Sequence, residues 1–297
     1  MRLAITGKNG QVVSALQALT GDDLEIVTLG RPELDLSRPE TVSQALRDAK
    51  PDVVVSAAAY TAVDKAESEP DIAFAINRDG AEAVAQTAND LGIPVIHLST
   101  DYVFDGDKPT AYVESDPTGP RSIYGRSKLE GERAVSAATD DYAILRTAWV
   151  YSEYGNNFVK TMLRLGESRD EINVVADQFG CPTSANDIAI AIVAIAKRLA
   201  QDSSNRLRGV FHLSGTGETN WANFAKQIFA FSAENGGKPV IVNDITTAQY
   251  PTPARRPANS RLDCSKLQEI YGIKLPDWQT STRAVVTTLA QSKKEKP

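Results

Sequence analysis

RLAITGKNGQVV, residues 2–13, is the stretch on which the fold class turns. Residues 2–6 form a short apolar run that reads as a buried strand, and a helix is expected from Gln11 through Leu19. Between them stands Gly7-Lys8-Asn9-Gly10. Glycines at such a junction permit a tight turn and let backbone N–H groups approach a pyrophosphate, which also gains from the positive end of the helix. The spacing is GxxG, not GxGxxG, and Val13 occupies the place of a third glycine. A GxxG also suits an ordinary β–α turn. Its position at the first strand–helix junction favours a dinucleotide, with Gly7 and Gly10 as candidate contacts.

Outward from this unit the pattern repeats. Strands are expected at 24–28, 52–56, 94–99 and 143–146, and helices at 39–48, 66–91 and 124–138. The run DVVVS at 52–56 is apolar throughout, as a strand covered on both faces requires. Such alternation predicts an α/β fold, a doubly wound parallel Rossmann-type sheet. After Trp149 the character changes: helices are expected at 158–165, 187–199 and 221–232, and strands at 172–176 and 210–213. The expected organisation is a dinucleotide-binding domain over 1–150, to which 184–216 returns. A smaller mixed α/β substrate domain takes 151–183 and 217–297. Residues 250–261, rich in Pro, Thr and Arg, are expected to be irregular, and the tail after Ala290 to fray.

The 297 residues carry a net charge of −6, with 42% hydrophobic and 24% charged residues. These are the proportions of an ordinary globular protein, and the acidic balance argues against nucleic acid or an anionic membrane as partner. No apolar stretch approaches bilayer length, and MRLAITG lacks the regions of a signal peptide, so a soluble cytoplasmic protein is expected. Cys181 and Cys264 share no metal spacing and read as free thiols of a reducing compartment; His97 and His212, the only histidines, pair with no other ligand, so no metal site is expected.

The second strand ends Thr28-Leu29-Gly30-Arg31, with no acid to chelate the ribose hydroxyls of NAD. An arginine there suits a 2′-phosphate and hence NADP, although it also reads as a solvated loop charge. Asp35 and Leu36, just beyond, are placed to flank the adenine. Tyr124-Gly-Arg-Ser-Lys128 puts a phenol and an ammonium on one helical face. Reducing a ketone requires hydride on carbon and a proton on oxygen. A tyrosine can deliver that proton, and a lysine one turn away favours its phenolate and can hold the nicotinamide ribose. YxxxK occurs often by chance, so its company decides. The fourth strand ends in Ser99-Thr100-Asp101-Tyr102-Val103-Phe104 at the carboxyl edge of the sheet, where ligands bind, and the Thr100 hydroxyl is placed to share the carbonyl with Tyr124. Arg255, Arg256 and Arg261 lie within one irregular segment, and their guanidinium forks suit a diphosphate.

GKNGQV, SAAAYTAVDKAESEP, HLSTDYVFDG, YGRSKLEGE, RTAWVY, GNNFVKTML, DQFGCPT and YPTPARRPANSRL together resemble the dTDP-4-dehydrorhamnose reductases, a family of extended short-chain dehydrogenases, from Met1 to about Trp278. The first four motifs are shared with wider sugar-nucleotide reductases and epimerases; TPARRPANSRL is more particular. The resemblance implies reduction of the 4-keto group of dTDP-4-dehydro-L-rhamnose by NADPH, with NADH possible. It implies Tyr124 as proton donor, Lys128 as its partner and Thr100 as the third catalytic group. Gly10, Gln11 and Val12 would meet the pyrophosphate, Asp35 and Leu36 the adenosine, and Ala59, Tyr60 and Thr61 the cofactor's border. Trp149 would face the substrate, with Val103 and Phe104 beside the sugar. Asp64 and Lys65 are given no chemistry beyond substrate contact.

Two other readings stand beside it: a reductase of another nucleotide-linked keto-deoxyhexose, and a non-catalytic regulatory subunit on the same fold. Intact Tyr124, Lys128 and Thr100 speak against the second. An epimerase would retain NAD, whereas Arg31 favours exchangeable NADP. Some relatives dimerise through Mg²⁺ held by acidic side chains; here Ala15 and Asn186 stand where acids are expected, leaving Asp187. A monomer, or a dimer that needs no metal, is therefore expected.

Overall fold

The computed structural model describes residues 1–294. Leu3, Ala4 and Ile5 have no exposed surface, because β1 (Arg2–Thr6) lies inside a sheet covered on both faces. The chain continues through α1 (Gln11–Gln17), β2 (Glu25–Leu29), α2 (Val42–Ala49) and β3 (Val53–Ser56). Next come α3 (Val63–Ala66), α4 (Pro70–Phe74), α5 (Gly80–Leu91), β4 (Val95–Thr100), α6 (Ile123–Ala138) and β5 (Tyr142–Thr147). Beyond these lie β6 (Val150–Tyr151), α7 (Phe158–Ser168), β7 (Glu171–Val175), β8 (Phe179–Gly180), β9 (Thr183–Ser184) and α8 (Ala185–Gln201). The described chain ends with β10 (Gly209–His212), β11 (Thr219–Asn220), α9 (Trp221–Glu234), β12 (Ile241–Ile245), α10 (Ser265–Tyr271) and α11 (Trp278–Lys294).

The main sheet runs β10-β5-β4-β3-β1-β2, parallel throughout, with Leu3 opposite both Ile26 and Val53. The chain leaves β1 toward β2 and then returns to the other side of β1 with β3. That reversal opens a crevice at the carboxyl ends of β1 and β3, the place where such sheets bind ligands. One face is covered by α1, α8 and α10, with Leu16, Ile188, Ile192 and Leu267 in its core; the other by α2, α5 and α6, with Leu46, Val84 and Val135. A third core, around Phe224, Ile228 and Val286, joins α7, α9 and α11 to the parallel pair β7–β12.

Three expectations need correction. The helix expected over 66–91 is broken: α3 ends at Ala66, α4 restarts at Pro70, and a π-helical turn, Ala75–Asp79, precedes α5. Proline lacks the donor for a helix interior and is tolerated in a first turn, so Pro70 is the point of restart. Residues 264–275 were expected in the substrate domain, yet Leu267, Tyr271 and Leu275 pack in the first core. The tail does not fray at Ala290, since α11 runs to Lys294; the expectation for 295–297 lies outside the described residues.

Candidate active site

Helix α6 begins where Ser122 accepts a hydrogen bond from the Gly125 amide at 3.1 Å. A Cβ on Gly125 would collide with the carbonyl oxygen of Tyr102, so glycine lets the first turn of α6 lie directly on the turn that follows β4. This contact brings Tyr124 to Thr100. Tyr102 meets the Tyr124 ring edge-on at 5.5 Å. Burial holds the phenol well above its ordinary range, with the nearby Thr100 hydroxyl pulling the other way. Tyr124 therefore waits as a protonated donor. Thr100 also accepts from the Tyr102 amide at 3.2 Å, which fixes its rotamer.

Lys128 lies one turn further on and is almost fully buried. Its Nζ donates to the Leu98 carbonyl at 2.7 Å and meets His97 Nε2 at 3.3 Å. Burial draws its pKa down to about 8, opposed by Glu132. His97 is pushed well below the usual histidine range, first by burial and then by Lys128. A neutral imidazole that accepts from the ammonium at Nε2 must carry its proton on Nδ1, which faces Ser56 Oγ at 3.1 Å. Lysine is thus held by β4 and β3, not by the phenol. Below it, Glu132 receives Arg146 through Nε at 2.9 Å and Nη2 at 2.7 Å, and Ser99 Oγ at 2.5 Å.

The crevice between β1 and β3 has the form a dinucleotide needs. Gly7 adopts φ of 104°, a left-handed conformation that disfavours side chains, and packs against Ala58 in the loop after β3. Thr6 Oγ1 accepts from the amides of Ala57 and Ala58, both at 3.0 Å, so Ala59, Tyr60 and Thr61 leave the sheet at the same mouth. Gly10 caps α1 without a side chain, leaving the first amides, those of Gln11 and Val12, uncovered by a cap. The Gln11 side chain is committed elsewhere, accepting from Ser152 and Asn157 at 2.9 Å. Arg31 stands at the end of β2, largely exposed, with Nε 2.8 Å from Asp35. Leu36 is buried. These residues fit a nicotinamide dinucleotide.

On the substrate side the residues are less uniform. Trp149 stacks on Trp221 at 3.5 Å in a left-handed conformation, φ of 49°, rare for so bulky a residue and of the kind that clusters at functional sites. Arg256 bridges Asp64 at 2.6 Å and the Tyr102 hydroxyl at 3.1 Å, and with Arg255 and Tyr250 it lines a cavity of about 360 Å³. Arg261 is engaged by Glu218 and Asn259 and holds its own segment in place. The side chains of Val103 and Phe104 offer no surface to a ligand. Val103 has none exposed, and Phe104 stacks on Tyr112 at 4.2 Å. They form the floor beneath the site.

A model of the RmlD substrate binding domain matches residues 1–291. The chain is 62% identical to a dTDP-4-dehydrorhamnose reductase of Sinorhizobium fredii, over 97% of this chain and 98% of that protein. It belongs to the dTDP-4-dehydrorhamnose reductase family. Among solved structures, one of a family member from Clostridium acetobutylicum superposes with a TM-score of 0.90 at 38% identity, covering 97% of this chain and 99% of that one. One from Bacillus anthracis, in complex with NADP, gives 0.88 at 38%, covering 96% and 98%. A UDP-glucose 4-epimerase from Thermus thermophilus, at 20% identity and 0.79, shares the fold.

Within this dTDP-4-dehydrorhamnose reductase framework, sequence reading missed several supports. Asn77, in the π-turn, accepts from the Tyr60 amide at 2.8 Å and donates to Ser127 at 2.9 Å, tying the loop after β3 to α6. Asp64 clamps the arginine segment, accepting also from the Ala254 amide. His97 meets the buried Lys128 ammonium. Only Pro70, which interrupts the helix pattern, was a visible signal. Where relatives are expected to carry acids, Ala15 is buried and Asn186 donates to Glu153. Among the described residues no cluster of side chains is suited to a metal, and no helix is long and apolar enough to cross a membrane.

Proposed function

We propose that the chain reduces the 4-keto group of dTDP-4-dehydro-L-rhamnose to give dTDP-L-rhamnose, using NADPH. The observation that carries this reading is the placement of Tyr124, in the first turn of α6, beside the turn that follows Thr100 at the carboxyl edge of β4, next to the β1–β3 crevice. Bound there, the reduced nicotinamide supplies hydride. Tyr124 donates its proton to the ketone oxygen, and Thr100 steadies the phenolate. Lys128, fixed by Leu98 and His97, holds the nicotinamide ribose by its remaining donor capacity. Arg31 turns from Asp35 toward the 2′-phosphate; NADH, lacking it, is the poorer donor.

Arg256, with Arg255 beside it, faces the diphosphate of the sugar nucleotide, and Trp149 borders the sugar. The buried Ala15 and the neutral Asn186 supply no carboxylate, so the protein works as a monomer or as a dimer without metal. The site of action is the cytoplasm, where Cys181 and Cys264 remain thiols. The test is NADPH oxidation with a panel of nucleotide-linked keto sugars. Turnover confined to the dTDP-4-keto-6-deoxyhexose supports the reading; faster turnover of another sugar, or none at all, overturns it.

A further inference from the structure

The charged stretch after β3 holds one side chain that the reaction leaves without a task. In α3, Lys65 turns to Glu69 at 2.8 Å and stays within its own helical region. Asp64 reaches out instead. Its Oδ1 accepts from the Ala254 amide at 3.1 Å and its Oδ2 from Arg256 Nη2 at 2.6 Å, across 190 and 192 positions of chain. One carboxylate thus holds both the backbone that leads to Arg256 and the guanidinium itself. Tyr102, in the turn after β4, completes the cradle: its hydroxyl accepts from Arg256 Nη1 at 3.1 Å while its ring meets Tyr124.

These contacts take two of the five N–H donors of Arg256 and leave three for a ligand. Arg256 lines the cavity of about 360 Å³, whereas Asp64 stands behind it and forms no part of that wall. Neighbouring Arg255 meets Asp107 at 3.5 Å and is 58% exposed, so Arg256 is the anchored one of the pair.

We propose that Asp64 is a positioning residue for the diphosphate of the substrate: it fixes Arg256 at the cavity wall before the sugar nucleotide arrives, and touches no part of that nucleotide itself. This rests on the reading of the substrate as a sugar nucleotide. A free arginine samples many rotamers, and freezing them each time a ligand binds weakens binding; a guanidinium already held by the fold avoids that loss. The opposing effect is repulsion between Asp64 and the phosphates. Asp64 is 40% exposed, so water and salt screen that repulsion, while the cost of ordering the side chain is not screened. An isolated exposed ion pair adds little, but here a backbone amide, a carboxylate and a phenol converge on one arginine and its segment. Ordering therefore outweighs repulsion.

The test is calorimetric binding of dTDP, the nucleotide end of the substrate alone, to wild type, Asp64→Ala, Asp64→Asn, Arg256→Ala and the Asp64→Ala/Arg256→Ala double variant. Steady-state kcat and KM with the keto sugar nucleotide are measured beside it, with NADPH affinity and Tm as controls of folding. Asp64→Ala should raise the dTDP Kd and the KM about tenfold with kcat nearly unchanged, the loss expected from ordering one long side chain at every binding event. Asp64→Asn keeps the shape but turns an amide donor toward one of its two partners, so it should weaken dTDP severalfold even if the alanine variant fails to fold. Arg256→Ala should lose at least as much as Asp64→Ala. The double variant should bind dTDP within about threefold of Arg256→Ala, because Asp64 acts through that guanidinium. An Asp64→Ala or Asp64→Asn protein that binds dTDP as tightly as wild type overturns the proposal. So do losses that multiply in the double variant, or an equal weakening of NADPH. No turnover by wild type, with dTDP binding in the expected pattern, would instead overturn the reductase reading and leave the role of Asp64 standing.

Discussion

Replacing Glu132 by alanine should unfold this protein more readily than any surface change, because it strands a buried guanidinium. Glu132 and Arg146 expose only 5% of each side chain, and two parallel hydrogen bonds join them. Arg146 Nη1 already lacks a partner, so the group has no spare protein acceptor to turn to. Losing one partner of a buried ion pair costs about 3–5 kcal/mol. Stacking of Arg146 over Phe104, with Cζ 5.0 Å from the ring centre, is present before and after the change and so offsets none of this. Ser99 also loses its acceptor, at about 1 kcal/mol. The net loss is roughly 4–6 kcal/mol, which for a chain of this size is a fall in Tm of about 8–24 °C. Differential scanning fluorimetry and urea midpoints would measure it. The double replacement Glu132→Leu with Arg146→Met leaves no buried charge and should recover much of the loss. A Glu132→Ala protein within about 3 °C of wild type, or a double variant no better than the single, would refute the reasoning.

Tyr124→Phe should fold and bind NADPH normally while turnover falls on the order of a hundred- to ten-thousandfold, since only the proton donor is lost; half of wild-type single-turnover rate would contradict the assignment. Arg31→Ala should weaken NADPH at least tenfold and NADH little, a charge-assisted contact being worth about 1.5–3 kcal/mol. Equal weakening in titrations with both cofactors would show that Arg31, through Asp35, supports the loop instead. Activity and the mass from light scattering should be unchanged by EDTA; a dimer that dissociates on chelation, with loss of activity, would contradict the metal-free reading.

The sequence by itself determined the main sheet, and it marked the GKNG turn and the candidate trio of Tyr124, Lys128 and Thr100. Strands buried on both faces run largely apolar, so VVVS and the VI that opens VIHLST announce themselves locally, and GKNG and YGRSK sit at strand–helix positions that periodicity alone defines. The second unit was less legible: β12 and α11 were not read, since partly exposed elements dilute the hydrophobic period. Tertiary structure alone decided how the trio is supported. Lys128 answers to His97, 31 positions away, and Arg256 to Asp64, 192 positions away. It alone turned Val103 and Phe104 into the core, broke the 66–91 helix to deliver Asn77 to Tyr60, and set Asp101 behind Thr100. The reason is physical. A residue's tendency to be buried is written in its own side chain and its spacing, but its hydrogen-bond partner is whichever polar group the packed backbone brings within about 3 Å.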